Sequence, residues 1–134
     1  MTNLTKIYGT NPAAEEGGID LHVGGDAYIT VKRAGNRNRA FQETFRRITS
    51  PYTKAIERGQ LDGETDDRLG IAIYAETIAI GWRGVGLVDG EDLPFSKENF
   101  IRVMTALPDL WRVVREGARD AANFRDAEVA EAGK

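Results

Sequence analysis

Residues 65–82 read TDDRLGIAIYAETIAIGW. This is the most apolar segment of the chain, and its reading decides the fold. Leu69, Ile71, Ala72, Ile73, Ala75, Ile78, Ala79 and Ile80 occupy more than one face of a 3.6-residue helix. A helix that is apolar on several faces is buried on several faces. Asp66 and Asp67 suit the first turn, where carboxylates meet the positive end of the helix dipole. Gly81, Gly84 and Gly86 surround Trp82 and end the helix in a loop. The stretch predicts a central helix over 65–82, wrapped by the rest of the domain or covered in part by a partner.

Working upstream, QLDGET (60–65) is a turn, and the segment from about Asn38 to Arg58 has helical periodicity. Phe41, Phe45, Ile48, Tyr52 and Ile56 are spaced by three or four residues, which makes one stripe. Pro51, with Thr49 and Ser50 before it, either kinks one helix or separates two, the second capped by Ser50. Gly59 closes the segment. Before it, Ile19, Leu21 and Val23 alternate with Asp20 and His22 as in a half-buried strand. Tyr28–Val31 is rich in β-formers. Gly24-Gly25 between the two runs suits a tight hairpin turn, and a lone hairpin must pack on something. Residues 1–18 read as a flexible lead-in.

Downstream, Ser96 starts a helix with Phe100, Val103, Met104 and Leu107 on one stripe. Pro108 ends it and begins the next, where Leu110, Trp111, Val114, Ala118 and Ala121 or Ala122 share a face and Phe124 follows. Residues 126–134 form a fraying tail. The expected architecture is α+β and mostly helical: an N-terminal β-hairpin packed on about four helices, in a single domain over 19–125.

The 134 residues hold no cysteine and one histidine. Disulfides, thiol nucleophiles and multi-histidine metal sites within one chain are thereby excluded. No apolar run approaches the roughly 20 residues of a membrane span, and the N-terminus lacks a signal-peptide pattern, so the expected compartment is the cytoplasm. Net charge is −3, yet residues 32–58 hold eight Lys or Arg against Glu43 and Glu57, whereas residues 62–76 hold five acids against Arg68.

Four candidate chemistries arise. The loop DGEDLPFSKENF (89–100) could offer Asp89, Glu91 and Asp92 to a hard cation, but it lacks the ligand spacing of an EF-hand loop. A helix start fits better, with Ser96 accepting from the Asn99 N–H and Phe95 and Phe100 at the spacing of a hydrophobic staple. His22 lies on the polar side of its strand with no acid implied by spacing, so it reads as an ordinary strand histidine. GWRGVG lacks the context and ending of a phosphate loop. The basic residues Arg37, Arg39, Arg46, Arg47, Lys54 and Arg58 could meet phosphates, but no aromatics interleave them on the charged side, because Phe41, Phe45 and Tyr52 read as core. A solvated face or a site for an acidic protein partner is the better reading. No nucleophile, base and oxyanion donor assemble. The expectation is a non-enzyme with no cofactor and no metal.

The stretch WRGVGLVDGEDLPFSKENFIRVMTALPDL (82–110) resembles the tail assembly chaperones of long-tailed bacteriophages and prophages. Such proteins carry a Trp-x-Gly-Val element after an apolar helix, met here by Trp82, Gly84 and Val85. An acidic turn and a Pro-Phe-Ser-x-Glu-Asn run follow, here Pro94 to Asn99. The next helix ends in Leu-Pro-x-Leu, here Leu107 to Leu110, and Ala122-Asn123-Phe124 also fits. The resemblance covers about residues 19–125 as a chain of small motifs. It implies an assembly factor of the host cytoplasm, absent from the mature virion. Such a factor binds the long helical tape measure protein, keeps it soluble and brings it tail tube subunits, partly through a frameshifted longer form. A homo-oligomer is compatible with this, and neither a membrane nor nucleic acid is expected as a partner. Apolar residues near the central helix could form the docking face, with Ile78, Trp82, Phe95, Phe100, Met104 and Trp111 as candidates. For each of these, a place in the core is the competing reading. The rival functions are a virion structural protein, such as a head–tail connector or tail completion component, and a basic-helix nucleic-acid binder.

Overall fold

A computed structural model describes residues 1–86, 90 and 92–125. The apolar stretch at 65–82 divides between two elements. Its first part is helix α5, Gly63–Thr77, which follows the short helices α1 (Leu4–Tyr8) and α2 (Pro12–Gly17) and the helices α3 (Arg39–Thr49) and α4 (Thr53–Glu57). Asp62 caps α5 by accepting from the Thr65 N–H at 2.7 Å and the Thr65 hydroxyl at 3.0 Å. The expectation of a helix continuing to Trp82 is corrected, because Ala79–Arg83 is a strand, β3. The strand completes a sheet begun by β1 (Ile19–Gly24) and β2 (Ala27–Val31), in the order β1-β2-β3 and antiparallel throughout. β2 would otherwise leave a row of N–H and C=O groups open along one edge. Ile78, Ile80 and Trp82 are good strand formers and Gly81 a poor helix former, so the open edge decides the outcome. Val31 faces Ala79 and Thr30 faces Gly81, with Ile80 bulged between them and 43% exposed.

The predicted hairpin is present, with Gly24 and Gly25 both at positive φ. Register puts Ile19, Leu21, Ile29, Val31, Ala79 and Trp82 on the face against the helices, and Asp20, His22, Tyr28, Thr30 and Arg83 on the other. Pro51 neither simply kinks one helix nor starts a side-chain-capped second. The chain stays helical through a single 3₁₀ turn, Ser50–Tyr52, between α3 and α4, and Gly59 closes the segment. Helices α6 (Lys97–Ala106) and α7 (Pro108–Arg119) match the sequence signals closely, with Pro108 in the first turn of α7. Ser96 accepts from the Asn99 N–H at 3.0 Å, and the Asn99 amide donates back to the Pro94 carbonyl at 2.9 Å. Asn99 thus reaches back over the helix start, as the glutamate of a capping box does.

The core lies where α5 meets the sheet, α6 and α7. Ile29, Val31, Ile78, Phe100, Met104, Val114 and Phe124 are fully buried there. Tyr74 and Trp111 meet edge to face at 4.8 Å, and the Tyr74 hydroxyl donates to the Arg115 carbonyl at 3.0 Å. Residues 1–18, expected as a flexible lead-in, contain α1 and α2, whose starts are capped by Asn3 and Asn11. This segment is joined to the far end of the chain. The Asn11 N–H donates to the Phe124 carbonyl at 2.7 Å, and Thr10 forms an antiparallel bridge with Arg125. The expected tail, 126–134, lies outside the described residues.

Candidate partner-binding surface

The six residues singled out from the sequence do not form one surface. Ile78, Phe100 and Met104 are fully buried and Trp111 is 2% exposed, so in the folded chain none of these four reaches a partner. The physical reason is that α5 is covered on its several apolar faces by the sheet and by its neighbouring helices, not by a second protein. Trp82 and Phe95 are half-buried. Their rings meet at 5.2 Å and 89°, and the Trp82 indole N–H donates to the Leu93 carbonyl at 2.7 Å. The pair fastens the loop before α6 to the sheet.

The other candidates place as follows. His22 donates from Nε2 to the Gly25 carbonyl at 2.8 Å and packs on Tyr28, so it secures the hairpin turn. Arg83 lies over the Tyr28 ring at 4.3 Å and 3.5 Å from Asp20. Asp89 and Glu91 lie outside the described residues. Among the described residues, no group of three His, Asp or Glu side chains gathers as metal ligands. Of the glycines of GWRGVG, Gly81 lies within β3 opposite Thr30, whereas Gly84, at positive φ, follows the end of the strand, and Leu93 returns to donate to the Val85 carbonyl at 2.8 Å.

A different surface emerges around the link from β2 to α3. The link and the segment from the end of α1 into α2 together bound a groove of about 810 Å³, with Tyr8, Glu15, Lys32, Arg37 and Arg39 among its lining residues. A second depression of about 480 Å³ continues along α3 past Phe41, Gln42, Phe45, Arg46 and Thr49. Asn36 lines both. The geometry of the link is set locally. Asn38 caps α3 by accepting from the Phe41 N–H at 3.0 Å and donates its amide to the Arg33 carbonyl at 3.2 Å.

Glu15 anchors the groove wall. Its carboxylate is largely covered and pairs with Arg33 at 2.5 Å and Arg37 at 3.5 Å. Burial pushes its pKa up, but hydrogen bonds from Arg33 and Thr10 and the charges of Arg33 and Arg37 outweigh this and hold the carboxyl below its usual range. Lys32, Arg39 and Arg46 form no ion pair among the described residues. Five basic side chains therefore line the two depressions against Glu15 and Glu16, on a chain of net charge −3.

Helix α3 buries no residue completely although it carries the stripe expected to be core. Phe41 packs edge to face on Tyr74 at 6.1 Å, whereas Phe45 is 48% exposed. Sequence reasoning missed this surface. The stripe has the composition of core, and Tyr8 and Glu15 lie in a segment that reads as a flexible lead-in. The one usable signal was the concentration of positive charge between residues 32 and 58.

Among the described residues no helix is long and apolar enough to cross a membrane. Residues 35–134 match the model of a family described as YdaY prophage protein, which accounts for well over half of the chain. No curated protein and no solved structure matches.

Proposed function

The chain belongs to the YdaY prophage protein family, and from that premise we propose that it is a tail assembly chaperone. On this reading it binds the tape measure protein stoichiometrically and without catalysis, keeps it soluble in the host cytoplasm, and brings tail tube subunits to it. It is absent from the finished particle. The observation that carries the reading is the half-exposed apolar stripe of α3 beside a basic groove. A tape measure protein exposes apolar helical stripes before assembly, and a groove flanked by a helix is a surface that takes such a stripe. The motif resemblance over residues 82–110 supports the same reading, although Trp82 and Phe95 serve the fold rather than a docking face.

The test is co-expression with the long helical product of the neighbouring gene. Soluble recovery of that product, and its co-purification with this chain, are expected. No rescue and no complex, with this chain found in purified virions, would reject the chaperone role in favour of a connector or tail completion component.

A further inference from the structure

We propose that the two adjoining depressions, one reaching from Tyr8 to Arg39 and the other from Asn36 to Thr49, together receive an acidic amphipathic helix of the partner. The proposal deepens the chaperone reading and rests on it. Charge complementarity selects the occupant. Arg33 and Arg37 pair with Glu15, whereas Lys32, Arg39 and Arg46, which line the depressions, have no ion-pair partner among the described residues and can meet carboxylates. The apolar contacts are Tyr8, 69% exposed, together with Phe45 and the accessible edge of Phe41. Phe41, Phe45 and Thr49 follow one another at intervals of four along α3. They form the kind of ridge against which a second helix packs. Among the described residues, the wall carries no open strand edge that could extend a β-sheet with the occupant. Nucleic acid fits less well. Glu16 stands on the same wall, the chain is a net anion, and phosphate binding favours surfaces basic throughout.

The test uses the full chain and two synthetic amphipathic peptides of about five helical turns. Both carry leucine stripes, one with glutamate and one with lysine elsewhere. The glutamate peptide is expected to bind, and the lysine peptide is not. The double variant Arg39→Glu/Arg46→Glu is expected to weaken binding about tenfold or more, as is Phe45→Ala. All three side chains are exposed, so the melting temperature should hold. Equal binding to wild type and double variant overturns the proposal. Binding of duplex DNA in place of the glutamate peptide also overturns it. So does binding that appears only after deletion of residues 126–134, since the occupant would then be the chain's own acidic segment. Co-purification of the tape measure protein separates the two readings. If the double variant retains it, the groove is wrong and the chaperone role stands. If wild type fails to co-purify while still binding the glutamate peptide, the groove stands and the chaperone role falls.

Discussion

Gly59 and Gly84 offer a matched pair of perturbations. Both sit at left-handed φ, +64° and +66°, where an L side chain costs about 1–2 kcal/mol. At Gly59 a Cβ would meet nothing within 4 Å. At Gly84 it would run into the Asp26 carbonyl oxygen, with the carbonyl carbon at 2.9 Å and Ala27 Cα at 3.4 Å. Those atoms are backbone of the β1–β2 turn and of the first residue of β2 and have no rotamer to adopt. Overpacking of this kind adds about 1–3 kcal/mol. Replacing glycine by alanine also reduces unfolded-chain entropy, equally at both sites, so that effect cancels in the difference. Gly59→Ala should therefore cost about 1 kcal/mol and Gly84→Ala about 2–4 kcal/mol. For a chain of 134 residues the entropy of unfolding is about 0.28 kcal/mol/K. The expected falls in melting temperature are about 4 °C and about 7–14 °C. Circular dichroism melts and urea midpoints measure both. If Gly84→Ala melts within about 2 °C of Gly59→Ala, the close approach of Gly84 to Asp26 does not hold the hairpin to the end of β3 as described.

Tyr74→Phe removes the hydrogen bond to the Arg115 carbonyl and should cost about 1 kcal/mol, read as a fall of about 4 °C in melting temperature. Burial, partly offset by the charges of Arg119 and Arg115, pushes the Tyr74 hydroxyl up to about 12. The unfolded chain therefore ionises first, and stability should fall between pH 10 and about 12 in wild type but not through this group in Tyr74→Phe. Ser96→Ala leaves the Asn99 N–H without its cap and should cost about 1 kcal/mol; an unchanged urea midpoint would contradict the cap. Glu15 has a lowered folded pKa, so its contribution is present above the ordinary value of 4.5 and is lost as pH falls below it. The stability advantage of wild type over Glu15→Gln should therefore shrink on acidification from pH 6 to pH 3, and a gap independent of pH would reject the ion pairing.

The hairpin was legible because its signals are local: alternation on both sides of Gly24-Gly25 needs no knowledge of the rest of the chain. The starts of α6 and α7 were legible for the same reason, in Ser96 and Pro108. β3 was not, since Ile78–Trp82 continues the apolar run of α5 without a break in composition. Only the open edge of β2, distant in sequence, makes it a strand. The lead-in did carry readable signals, with Asn3 and Asn11 as caps and Pro12 in the first turn of α2, but its low hydrophobicity outweighed them. The proposed docking surface was the least legible part. Ile78, Phe100, Met104 and Trp111 have the chemistry of either a core or an interface, and residue type does not say what covers a side chain. Phe45 shows the converse, a stripe residue left half exposed because α3 has a neighbour on one side only.

The position of β3 in the chain has a consequence for synthesis. The ribosome makes β2 some fifty residues before the strand that flanks it, which at about 5–20 residues per second is a delay of about 3–10 s. Helices α3, α4 and α5 can form from local contacts meanwhile, but the β1–β2 hairpin waits with its inner edge unpaired and is marginal by itself. Closure of the sheet therefore coincides with the emergence of Arg83. A chain interrupted before that residue keeps the open edge as a template for pairing with other chains.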